Sequence, residues 1–194
     1  MRRALGMASL CVVAFAALPA SSVAQGGEIF GGYSYLRSDT GPGFNANGWE
    51  GSLTGNFNRF FGLEVNLSDH YNSPLPLNTG YSNDFSFLFG PHFAFRGVPK
   101  VTPFAHVLVG GTRGEAVFAV PPPPCPAGVT CTLPGPAQEH ETAFTTAVGG
   151  GLDVQAARFV WIRIIQVDYL REQFTSNPQN DARLSFGIVL RFSR

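Results

Sequence analysis

Residues 84–95 constrain this chain most. They read D-F-S-F-L-F-G-P-H-F-A-F. Phe85, Phe87, Phe89, Phe93 and Phe95 recur at every second position, with Pro91 in the one gap. Asp84, Ser86, Leu88, Gly90, His92 and Ala94 lie between them. A strand sends alternate side chains to opposite faces, so this segment has one large apolar face and one small or polar face. Charge kept to one side and a row of Phe on the other suits a wall whose outer solvent is hydrocarbon and whose interior is wet.

The same alternation recurs along the chain. In residues 47–58, Trp49, Leu53 and Phe57 oppose Glu50, Ser52, Thr54 and Asn56. After a turn near Asn58 and Arg59, Phe61, Leu63, Val65 and Leu67 alternate with Gly62, Glu64, Asn66 and Ser68. A short turn there sets Thr54 opposite Glu64 and Leu53 opposite Val65, so both faces agree across the hairpin. A turn at 96–100 likewise sets Phe93 opposite Ala105, Phe89 opposite Val109 and His92 opposite His106. Residues 142–154 place Phe144, Val148, Leu152 and Val154 outward, with Thr145, Ala147, Gly149, Gly151 and Asp153 inward.

Residues 159–174 break the period. Val160, Ile162 and Ile164 outward require Arg163 inward, whereas Val167 and Tyr169 outward require Gln166 and Asp168 inward. One extra residue near Ile164 and Ile165, a β-bulge, reconciles the two demands. An outward Arg at mid-depth would cost roughly 2–4 kcal/mol. The closing segment sends Leu184, Phe186, Ile188, Leu190 and Phe192 outward and Ser185, Gly187, Val189 and Arg191 inward. The first strand, residues 28–37, has apolar residues on both faces; Tyr33 and Tyr35 are assigned outward. About eight strands result, joined alternately by long and short connections. The long connections span residues 38–46, 71–82, 116–141 and 175–181.

The N-terminus reads as a leader. Arg2 and Arg3 precede an apolar run at 10–18, and Ser22-Val23-Ala24 is a small-x-small site, giving a signal peptide at 1–24 and a barrel domain at 25–194. Thirteen basic residues less two leave 11 against 13 acidic ones, near −2, which is no footprint for nucleic acid. Only 13% of the chain is charged, against the quarter to a third usual on a soluble surface. Cys125 and Cys131 sit in P-P-P-P-C-P-A-G-V-T-C, and in an exported chain they are expected to form a loop disulfide. The fold class is therefore all-β: an eight-stranded antiparallel up-and-down transmembrane β-barrel after a cleaved signal peptide. Closure satisfies the strand edges that lipid cannot.

G-G-Y-S-Y-L after the leader, V-D-Y-L at 167–170 and the alternating strand ending at Phe192 resemble the small eight-stranded outer-membrane β-barrel family, which includes the OmpA transmembrane domain and OmpX-like proteins. The resemblance spans essentially all of residues 25–194. It implies localisation in the cell outer membrane, contact with outer-membrane lipid and lipopolysaccharide, and loops that meet an extracellular ligand of unknown kind. It also implies insertion by the barrel-assembly machinery, which reads an aromatic residue closing the last strand. Here Ser193 and Arg194 follow Phe192, displacing that signal.

The inward set is Glu50, Glu64, His92, His106, Asp153, Arg163, Asp168 and Arg191. A barrel of this size is about filled by its own side chains. These residues are read as a polar plug in which acids and bases pair, with no cofactor and no metal, and the protein is not expected to be an enzyme. Three other readings stand beside this one. His92 and His106 with Glu50 or Glu64 are a possible metal set. His70, Ser73 and Asp69 are the nearest to a hydrolytic triad for a lipid A-modifying enzyme, without matching a His-x-Ser arrangement. A soluble lipocalin-like barrel would turn the Phe face inward around an apolar ligand. Two aromatic girdles are expected: Phe57, Phe60, Phe61, Phe95, Phe159 and Phe192 near the short turns, and Tyr35, Trp49, Tyr71, Tyr81 and Phe174 near the long loops.

Overall fold

Eight strands form where the alternation runs: β1 (Gly26–Ser38), β2 (Phe44–Asn56), β3 (Phe61–Asn72), β4 (Gly80–Ala94), β5 (Val101–Phe118), β6 (Ala137–Gln155), β7 (Val160–Gln173) and β8 (Pro178–Ser193). The structure is a computed structural model that describes residues 26–39, 44–72, 80–118, 137–174 and 178–193. The leader at 1–24, Ser73 and the Cys125–Cys131 pair lie outside the described residues. Each strand pairs antiparallel with the next, and β8 returns to β1, closing the barrel.

The registers follow the face-matching argument. Leu53 pairs with Val65 and Thr54 with Glu64. Phe89 pairs with Val109, His92 with His106 and Phe93 with Ala105. Leu152 pairs with Ile165 while Asp153 pairs with Arg163, so Ile164 is the extra residue. The other edge of β7 agrees, stepping from Arg163–Gly187 to Gln166–Ser185. Ile164 and Ile165 both stand outward, 55% and 44% exposed. This bulge turns both Arg163 and Gln166 to the inside, where each finds partners that hydrocarbon would deny it.

The strands run further toward the long loops than composition suggests. β3 reaches Asn72, β4 begins at Gly80, β5 ends at Phe118 and β6 begins at Ala137. The ladder continues through polar residues because each antiparallel pair satisfies two backbone groups whatever its side chains. With 12 to 19 residues per strand, the barrel exceeds the 9–11 needed to cross a bilayer.

The apolar wall faces out. Phe85, Phe87, Phe89, Phe93 and Phe95 are 41–56% exposed. Their small and polar neighbours Ser86, Leu88, His92 and Ala94 are buried. A lipocalin-like barrel would have the opposite arrangement. Phe60, Phe95, Phe159 and Phe192 are exposed near the short turns, and Trp49 and Tyr71 near the loops. Phe174 departs from its expected girdle: it is 8% exposed and lies against Gly114 inside the barrel. The side chain of Tyr81 is outside the described part.

Candidate functional site

The interior is layered. At the short-turn end, Glu28 accepts from Asn56 at 2.9 Å, from Arg191 at 3.0 Å and from Arg96. Asp153 accepts from Arg163 at 2.9 Å and Arg191 at 3.3 Å. The Arg163 guanidinium lies 4.2 Å from the Phe30 ring centre and 4.0 Å from that of Phe104, so aromatic faces cover a charge that also has its carboxylate.

Above this lies a connected polar network. Arg183 donates to Asp168 through Nε at 2.9 Å and Nη2 at 2.6 Å, and to Ser68 at 3.0 Å. Its guanidinium is also 3.4 Å from Glu50. Gln166 donates to Glu50 at 2.8 Å and Asp168 at 2.7 Å, and accepts from Arg163 at 2.6 Å. Asn66 donates to Glu50 at 2.6 Å. Ser185 donates to Glu50 and accepts from Ser34 at 3.0 Å, and Ser34 in turn is hydrogen-bonded to His70 at 2.8 Å.

Glu64 sits differently. Its Oε2 is 2.7 Å from His92 Nδ1 and 3.1 Å from His106 Nδ1. Asn66 donates to its other oxygen at 3.3 Å. His106 Nε2 is 2.9 Å from Asp168 Oδ1. Glycine makes this reach possible. Gly149 lies between the two residues in the ladder, pairing with His106 on one side and Asp168 on the other. A Cβ on it would stand 1.9 Å from the Asp168 carboxylate.

The next layer is apolar. Leu36, Ala46, Leu88, Leu108, Ala147 and Leu170 form one buried cluster. This corrects the expectation of a polar plug throughout. Leu has no polar atom to satisfy, so inward Leu among inward Gly and Ala fills the cross-section as ordinary core does. Toward the loops come Ser86, Thr112 and Thr145, bonded in a row at 2.9 Å and 2.7 Å. Beyond lie the carboxylates Asp84, Glu172 and Asp181, beside a mouth cavity of about 460 Å³ lined by Asp84, Glu115, Glu139, His140 and Phe174 among others.

Glu50, Glu64, His92, His106, Asp153, Arg163 and Asp168 are each at most 2% exposed, and Arg191 is half-buried on the same inner face. The structure brings all eight into the lumen. Sequence reasoning passed over Arg183, fully buried at the centre of the network, although its parity with Ser185 placed it inward. Glu28 and His70 were also legible as inward by parity. His70 faces the lumen and Asp69 the outer side, where the Tyr71 hydroxyl donates to it. Those two are therefore not gathered as a hydrolytic pair.

No protein-family model matches the chain, and no curated protein matches it. Solved structures do. Ail, the attachment invasion locus protein of Yersinia pestis, superposes with a TM-score of 0.61 at 19% identity, covering 87% of this chain and 99% of that one. Neisserial surface protein A gives 0.61 at 11%, covering 84% and 96%. OprG of Pseudomonas aeruginosa gives 0.52 at 9%, covering 89% and 98%. The likeness is one of fold: the chain is built as the small bacterial outer-membrane barrels are, with an exterior made for lipid.

Proposed function

We propose that this eight-stranded outer-membrane barrel is a structural or surface-interaction protein: its lumen is sealed, its loops meet something outside the cell, and it catalyses no reaction. The observation that carries the sealed lumen is the stack of two unlike barriers. An ion entering from the loops meets the Leu36–Leu88–Leu108–Leu170 layer, where it would be dehydrated without compensation. Below that, Arg183, Asp168, Glu50 and Gln166 bond across the axis.

Arg37, Arg113 and Arg171 stand exposed on the outward parity toward the loop ends, which supports contact with lipopolysaccharide phosphates there. Phe192, outward at the end of β8, supports recognition by the barrel-assembly machinery. The connecting segments 40–43, 73–79, 119–136 and 175–177 carry no charged residue, and the first three contain Pro. The Ail neighbour has been crystallised with the heparin analogue sucrose octasulfate. The absence of charge from these segments favours instead a partner held by apolar and backbone contacts, and the carboxylates Asp84, Glu115 and Glu139 at the mouth cavity disfavour a polyanion.

Two measurements test the reading. Membrane fractionation with unheated and heated detergent gels should give a detergent-requiring species whose mobility changes on heating. A species soluble in the periplasm without detergent overturns the membrane reading. In planar bilayers the purified barrel should show no stable unitary conductance; reproducible single-channel steps would refute the sealed lumen.

A further inference from the structure

Among the described residues, Glu64 is the carboxylate of the inner network that no guanidinium meets. Glu28 has Arg96 and Arg191, Asp153 has Arg163 and Arg191, and Asp168 and Glu50 share Arg183. Among the described residues Glu64, with its side chain wholly buried, has only Asn66 and the imidazoles of His92 and His106. A buried carboxylate needs a compensating cation, here either a protonated imidazole or a bound metal ion. One oxygen and two imidazole nitrogens converge here, and all three atoms lie within 4.8 Å of one another.

We infer that Glu64, His92 and His106 form a binding site for a divalent first-row transition ion of the Zn²⁺ class, inside the barrel and between three consecutive strands. Two imidazoles and one carboxylate are the ligand types such an ion takes, with water completing a tetrahedron. Hard ions such as Mg²⁺ and Ca²⁺ prefer an all-oxygen set. Tetrahedral bonds of about 2.0–2.1 Å put donors roughly 3.3 Å apart. The present oxygen–nitrogen separations of 2.7 and 3.1 Å are within an ångström of that, and the two nitrogens lie within 4.8 Å of each other.

Each donor is also oriented from behind, as in built metal sites. Asn66 holds Glu64 by Oε1 and leaves Oε2 toward the imidazoles. The His92 ring stacks on Phe104, centroids 5.2 Å apart and planes 16° from parallel. His106 has Nε2 on Asp168, which Arg183 and Gln166 clamp in turn. With its Nε2 proton on Asp168, His106 presents the Nδ1 lone pair to the ion. His92 does so once its proton resides on Nε2, and any Nδ1 proton displaced leaves to solvent.

Because the lumen is sealed once the barrel closes, the test refolds the mature barrel in detergent with chelator, with Co²⁺, and with Co²⁺ plus competing Zn²⁺. One ion per folded chain is expected, with the visible bands of tetrahedral Co²⁺ abolished by Zn²⁺. His106→Gln and Glu64→Gln, each confirmed folded by heat-dependent mobility, should lose at least 100-fold in affinity. Asn66→Ala should lose about 10–100-fold. His140→Ala should lose nothing, since His140 with Glu115 is a separate surface pair. If the lumen variants fail to fold, X-ray absorption on the folded Zn²⁺-loaded parent must show imidazole scattering. No stoichiometric ion on the folded parent, a first shell without imidazole, or binding lost only in His140→Ala would each overturn the site.

Discussion

The inner and outer halves of the lumen handle buried charge in opposite ways. Toward the short turns, Glu28, Glu50, Asp153 and Asp168 each face an Arg, and aromatic rings cover Arg163 and Arg191. Toward the loops, Asp84, Glu172 and Asp181 form no ion pair among the described residues, and Asp181 Oδ1 has no hydrogen-bond partner among them. The Leu36–Leu170 cluster separates the two. The difference shows what depth demands. Below the apolar layer these carboxylates are met by protein groups. Above it, the mouth cavity admits water, which can serve as the missing partner.

Removing a deep guanidinium should break this contrast most severely. Arg183→Leu leaves Asp168 and Glu50 without their guanidinium and should cost about 3–5 kcal/mol. Urea unfolding of the reconstituted barrel measures it, and adding Asp168→Leu should recover part of the loss. A cost under 1 kcal/mol would mean that water reaches the deep network.

The boundary comes next. Leu108→Ala opens a cavity in the apolar layer, and a loss near 3 kcal/mol is expected in the same assay. Conductance noise in planar bilayers should rise alongside. Unchanged stability and unchanged conductance would remove the apolar layer as a barrier.

The smallest effect belongs to the mouth. Asp181→Asn relieves crowding with Asp84 and Glu172 and should stabilise by about 1 kcal/mol. If it destabilises as much as Arg183→Leu, the two halves do not differ in kind.

Much of this molecule can be read from alternation alone. Which face each side chain takes, the hairpin pairings of Leu53 with Val65 and of His92 with His106, and even the extra residue at Ile164 follow from period two and the cost of charge in hydrocarbon. Parity would also have yielded Arg183 had the alternation been extended past Ser185. Composition misplaced the strand ends, because polar residues at the mouth look like loop while their backbones still pair. It misplaced Phe174, because an aromatic near a strand end reads as girdle whichever way it points.

What only closure decided is who meets whom across the axis. Gln166 finds Glu50, 116 positions away, and Ser185 finds Glu50 from 135 away. Asp168 reaches His106 over the bare Cα of Gly149, and Glu64 receives both imidazoles. Alternation assigns a side chain to a face, which is a property of neighbours along one strand. Contact through the lumen depends on how far each strand is staggered and tilted when the sheet joins itself, and no local pattern encodes that.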